Sequence, residues 1–242
     1  MKVVLMVLGI VIVVLVVGIS VRAVKTHHQS ALKTTTTQAD TSGIRYLPLG
    51  DSYTIGQSVA ANERWPNQLV ARLKSDNIDM QIVDNPSVTG YTTQDLINTE
   101  LPLVPKFKPQ FVSLLIGVND YVQGVPIQTF TQHLDFIITT LQKELPHPNE
   151  ILLVTIPDYG KTPTGAEFGN PATSEAGIIA FNNVIKQVGV TYKLPVADIF
   201  PISQQVANDP GLIASDGLHP SGKEYAQWTN VIFQTLKQAQ IL

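Results

Sequence analysis

Phe111-Val112-Ser113-Leu114-Leu115-Ile116-Gly117-Val118-Asn119-Asp120 begins with a nearly unbroken apolar run and then breaks at Gly117. A strand with one wet face would alternate apolar and polar residues. This run does not, which is the texture of a strand buried on both faces of a parallel sheet. Residues 151–156 (ILLVTI) have the same texture. Shorter apolar runs occur at residues 45–49, 80–83 and 196–199. Between them lie stretches with helical spacing. In residues 64–75, Trp65, Leu69, Val70 and Leu73 form one stripe. Residues 92–101 form a short helix capped by Thr92 or Thr93, and residues 127–145 and 173–190 form longer ones. In residues 221–240, Ser221 is the cap, and Tyr225, Trp228, Val231, Ile232 and Leu236 share a face. Strand–helix alternation with short connections predicts an α/β fold, a parallel sheet covered on both sides. Such sheets carry their sites at the carboxyl ends of the strands.

Composition sets the outer limits. The chain has 242 residues, 44% hydrophobic and 14% charged, with a net charge of -3. That suits one substantial domain plus something small, and gives no basic footprint for nucleic acid. The absence of cysteine excludes disulfides, thiolate zinc sites, a thiol nucleophile and a lipidated Cys. Residues 3–21 contain no charge; Gly9, Gly18 and Ser20 are their only non-apolar members. As a helix this run is about 28 Å long, near the ~30 Å of a hydrocarbon core. It is long for the apolar part of a cleaved signal. Residues 1–25 are therefore expected to be one apolar helix, a single-span membrane anchor. The alternative is secretion after cleavage near Val21-Arg22-Ala23. Flanking charges are nearly balanced (Lys2 against Arg22 and Lys25), and the long part that follows favours an extracytoplasmic domain. Residues 26–43, with Thr34-Thr35-Thr36-Thr37, read as a polar linker, and residues 44–242 as the domain. His27-His28 has no Cys or carboxylate cluster beside it and reads as a solvated segment rather than a metal site.

Four short motifs in the domain supply chemistry. Ser52 follows a strand end and the turn-forming Gly50-Asp51, and a Ser hydroxyl becomes nucleophilic once a base accepts its proton. Asp51 is a rival carboxylate, though Asp in a turn commonly bonds backbone. Asp216 precedes His219 by three residues. On one tight turn the carboxylate can hold one ring nitrogen while the other faces a nucleophile. Asn119, just past the buried strand, can donate an amide N–H to an oxyanion, and Gly90 can donate a backbone N–H with no side chain in the way. The backbone N–H of Ser52 makes a third donor. Taken one at a time, each motif is equally an ordinary turn, a capping region or a strand terminator. His133, inside a long helix, and His147, between two prolines, are weaker candidates for the base.

As a set, in this order, the motifs resemble those of the SGNH hydrolases, the GDSL lipase/esterase family. Leu47-Pro48-Leu49-Gly50-Asp51-Ser52-Tyr53-Thr54-Ile55-Gly56 is similar to that family's first block. Asn85-Pro86-Ser87-Val88-Thr89-Gly90 resembles the second, Leu115-Ile116-Gly117-Val118-Asn119-Asp120 the third, and Asp216-Gly217-Leu218-His219-Pro220 the fifth. The resemblance implies a three-layer α/β/α flavodoxin-like fold. It implies a triad of Ser52, His219 and Asp216, an oxyanion hole of Ser52, Gly90 and Asn119, and neither metal nor organic cofactor. Arg64-Trp65-Pro66 and Thr155-Ile156-Pro157-Asp158-Tyr159-Gly160 resemble a bacterial subgroup described as lysophospholipase- or esterase-like.

The expected function is hydrolysis of acyl esters through an acyl-enzyme on Ser52. An O-acyltransferase would use the same parts with a sugar hydroxyl in place of water, and a surface binding module would keep the fold without turnover. Tyr53, Tyr91, Tyr121 and Val122, as neighbours of the motif residues, are expected to line the substrate side. Small-molecule, lipid or glycan esters all remain open as substrates.

Overall fold

The computed structural model describes residues 43–241. The apolar helix expected over residues 1–25, the linker expected over 26–43 apart from Gly43, and His27 and His28 lie outside them.

Strand β1 (Ile44–Gly50) leads into the short helix α1 (Ser52–Ile55) and then α2 (Trp65–Ser75). Strand β2 (Met80–Ile82) is followed by α3 (Thr93–Thr99) and α4 (Val104–Phe107). Strand β3 (Phe111–Leu115) is followed by α5 (Val118–Val122) and α6 (Ile127–Glu144). Strand β4 (Ile151–Val154) leads to α7 (Pro171–Tyr192), β5 (Val196–Ala197) to α8 (Phe200–Ser203), and α9 (Gly222–Gln238) closes the domain. All four strand pairings are parallel, in the order β2-β1-β3-β4-β5. This is the flavodoxin-like doubly wound order, and its switch point lies between β1 and β3. Helices α2 and α9 pack together; α3, α6 and α7 form another packed group.

The two apolar runs behave as their texture predicts. Every residue of β3 and β4 is buried. Phe111, Val112, Leu114 and Leu115 each gain about 1.5–3 kcal/mol by leaving water. Ser113, buried among them, shares a 2.6 Å hydrogen bond with the Tyr46 hydroxyl of β1, so its polar group costs little there. Trp65 of α2 and Trp228 of α9 are wholly buried. The cap expected for the last helix is present: Ser221 accepts from the Glu224 N–H. Thr92 caps α3 and shares a capping box with Asp95. No helix among the described residues is long and apolar enough to cross a membrane.

Candidate active site

The carboxyl ends of β1 and β3 flank the switch point, and the first and third motifs begin there. Gly50 closes β1 with φ +154°, and a Cβ at this position would lie 2.2 Å from the Leu115 carbonyl oxygen of β3. Only glycine allows the two strand ends to meet. Asp51 then turns the chain: its carboxylate accepts from the Tyr53 N–H at 3.0 Å and caps α1. Ser52, nearly buried, is the first residue of that helix, so its own N–H has no intrahelical acceptor.

The Gly90 loop is tied to both sides. Asn85 donates to the Thr54 carbonyl of α1 at 3.0 Å. Asn119 Nδ2 donates to the Tyr91 carbonyl at 2.9 Å, leaving its second amide proton uncommitted by that bond. Gly90 has φ +86°, and no heavy atom lies within 4 Å of where a Cβ would sit. Behind Asn119, the buried Asp120 accepts from the N–H and the hydroxyl of Thr93, and that hydroxyl also meets His133 Nδ1 at 2.7 Å. Burial pushes the Asp120 carboxyl up, opposed by Thr93 and His133.

In the last loop, Asp216 Oδ2 and His219 Nδ1 are 2.6 Å apart. Asp216 Oδ1 accepts from the N–H groups of Leu218 and His219, each at 2.9 Å, and Oδ2 also accepts from the Ser58 hydroxyl at 2.6 Å. Partial burial raises this carboxyl's pKa, but Ser58 and the donors of its own loop outweigh it and hold the group well below the usual carboxylate range. The His219 side chain is 5% exposed, and the Tyr53 ring lies 5.4 Å away.

Ser52, Gly90, Asn119 and His219 all line one pocket of about 300 Å³. No hydrogen bond joins Ser52 to His219 among the described residues; such bonds are often long before substrate arrives. Two of the four expected substrate-side residues, Tyr53 and Val122, line the pocket. Tyr91 and Tyr121 do not: Tyr91 contributes its carbonyl to Asn119, while the Tyr121 hydroxyl donates to the Thr173 carbonyl of α7 at 3.0 Å. His147 takes no part. The apolar wall is completed by Val118, Tyr159, Phe168 and Leu218, and Gln57 and Thr89 add polar groups. Of these, Tyr159 lies in a stretch that the family resemblance marked; Phe168 follows no pattern in the sequence. Among the described residues, no group of three or more His, Asp or Glu could hold a metal ion.

The model of the GDSL-like Lipase/Acylhydrolase family matches residues 49–227. An arylesterase of Vibrio mimicus is 23% identical over 176 residues, 73% of this chain and 80% of that protein. The thioesterase 1/protease 1/lysophospholipase L1 of Escherichia coli (strain K12) is 23% identical over 175 residues, 72% of this chain and 74% of that protein. The crystal structure of TesA has the same fold, with a TM-score of 0.65 at 23% identity, over 81% of this chain and 99% of that one. With the family match spanning most of its length, the chain belongs to the GDSL-like lipase/acylhydrolase family and is an ester-hydrolysing enzyme of the GDSL esterase/lipase type.

Proposed function

We propose that the pocket hydrolyses carboxylic acyl esters with Ser52 as nucleophile, His219 as base and Asp216 as its orienter. The observation that carries this reading is the convergence of Ser52 and His219 in one pocket, with His219 Nδ1 held by a carboxylate that stays ionised. Ser52 Oγ attacks the carbonyl carbon while its proton passes to His219 Nε2. The negative oxygen of the tetrahedral intermediate takes N–H groups from Ser52, Gly90 and Asn119. Collapse breaks the ester C–O bond, and the alcohol leaves with the proton from His219. Water then attacks the acyl-enzyme as His219 takes its proton; the acyl C–O bond to Ser52 breaks, His219 returns the proton to Ser52 Oγ, and the acid is released.

A volume of about 300 Å³ is at the small end of small-molecule sites. The acyl groups it encloses are therefore short; a longer chain runs out over Val122 and Phe168, both substantially exposed at the pocket. Residues 1–25 hold the enzyme at the membrane with the domain outside the cytoplasm. The support for the anchor is the charge-free run of residues 3–21, and for the orientation the long part of the chain that follows it.

The test is hydrolysis of p-nitrophenyl esters from acetyl to palmitoyl by the full chain, with Ser52→Ala as control. Ser52-dependent turnover greatest on short chains is expected. Turnover that Ser52→Ala leaves intact rejects the mechanism, and a maximum at palmitoyl rejects the short-acyl assignment. Carbonate-resistant sedimentation with membranes checks the anchor; full release into the supernatant rejects it.

A further inference from the structure

Three consecutive residues after α1 bond Ser52, the Gly90 loop and Asp216. The Ser52 carbonyl accepts from the N–H groups of Gly56 and Gln57, both at 3.0 Å. The Gln57 side chain accepts from the Thr89 hydroxyl at 2.6 Å, and Thr89 immediately precedes Gly90. The Ser58 hydroxyl donates to Asp216 Oδ2 at 2.6 Å, 158 residues away in sequence. Ser58 does so with φ 66°, a left-handed conformation that glycine adopts freely and serine rarely does. The chain thus holds an exposed serine in an unfavourable backbone state where its hydroxyl meets the carboxylate.

Building on the ester-hydrolase reading, we propose that Gln57 and Ser58 form a clasp across the site, and that Ser58 is a positioning residue for the Asp216–His219 pair. The acceptor sites of Asp216 account for this. Oδ1 is fixed by two backbone N–H groups of its own loop. Oδ2 has one donor from that loop, the His219 ring, and Ser58 supplies the second. Ser58 therefore sets where Oδ2 sits, and so the angle at which the imidazole faces Ser52.

Ser58→Gly is the informative variant, because it removes the hydroxyl and relieves the backbone strain together. It should lower kcat about 3- to 10-fold with KM within twofold. The His219 Nδ1–H proton resonance, followed by NMR in the full chain, should move, since the imidazole becomes the one remaining donor to Oδ2. Ser58→Asn, which tolerates the left-handed state and carries an N–H donor, should restore part of both. An unchanged His219 resonance and kcat in Ser58→Gly overturns the proposal, as does a change in thermal stability alone. The NMR measurement needs no turnover. It decides the Ser58–Asp216 linkage even if no ester is cleaved, an outcome that would instead reject the hydrolase reading.

Discussion

Asp51 and Asp216 flank the proposed nucleophile and base, and their surroundings drive them in opposite directions. Asp51 is fully buried, and burial pushes its carboxyl up to about 8, opposed by the Tyr53 N–H. Asp216 is held low by the Ser58 hydroxyl and the N–H groups of its own loop in spite of partial burial. Asp216 thus stays ionised from mild acid upward, where Asp51 is protonated, and only Asp216 suits the orienting role. One consequence is kinetic. A single acid limb should appear in kcat/KM, with the rate rising as the imidazole loses its proton. A rate flat from acid to neutral pH would contradict a His base. Asp216→Asn should keep the fold but lower kcat by about 10³–10⁴-fold, because the imidazole loses its preferred tautomer. Asn119→Ala should lower kcat by about 10²–10³-fold with little change in KM, the signature of a donor used in the transition state. A comparable rise in KM at constant kcat would instead make Asn119 a ground-state contact.

At the scale of elements, the meeting of β1 and β3 decides the geometry of the site. Gly50→Ala places a methyl against the Leu115 carbonyl, a backbone atom that cannot swing aside. Overpacking of this kind costs about 1–3 kcal/mol or more, so the urea midpoint should fall clearly; an unchanged midpoint would show that the strand ends have slack. The strands themselves were legible because a sheet covered on both sides demands apolar runs, as residues 111–116 and 151–156 display. The long helices were legible through their stripes and caps. The short turns at Tyr159–Lys161 and Gly165–Phe168 were not, since three or four residues carry no periodicity. Helix geometry also explains why sequence neighbours of Asn119 divide. Val122, three residues on, shares its face of α5 and lines the pocket; Tyr121, two residues on, turns toward α7. Ser58 was invisible for another reason: its partner lies 158 residues away in the sequence.

For the molecule as a whole, buried acids set the pH dependence of stability. Asp51, Glu100 and Glu224 are each pushed up to about 8 by burial, from ordinary values of 3.8, 4.5 and 4.5. Folding therefore retains protons that the unfolded chain releases. Their contribution is fully present below the ordinary values and is lost as pH rises toward 8. Asp216 acts in the opposite sense, its contribution being lost as pH falls below 3.8. Thermal stability should thus be greatest in mild acid and decline as pH rises toward 8. Glu224→Gln keeps an acceptor for the Trp228 N–H and should flatten the decline; a melting temperature that rises over this range would contradict the assignment. The central claim, that Ser52 is the nucleophile of an acyl-transfer site, has a more direct test. The full chain is treated with a fluorophosphonate at neutral pH, digested, and the adduct located by peptide mass spectrometry. A single adduct on Ser52, lost in Ser52→Ala and slowed sharply in Asp216→Asn, is the predicted result. An adduct on another residue, or none on folded protein, would contradict it.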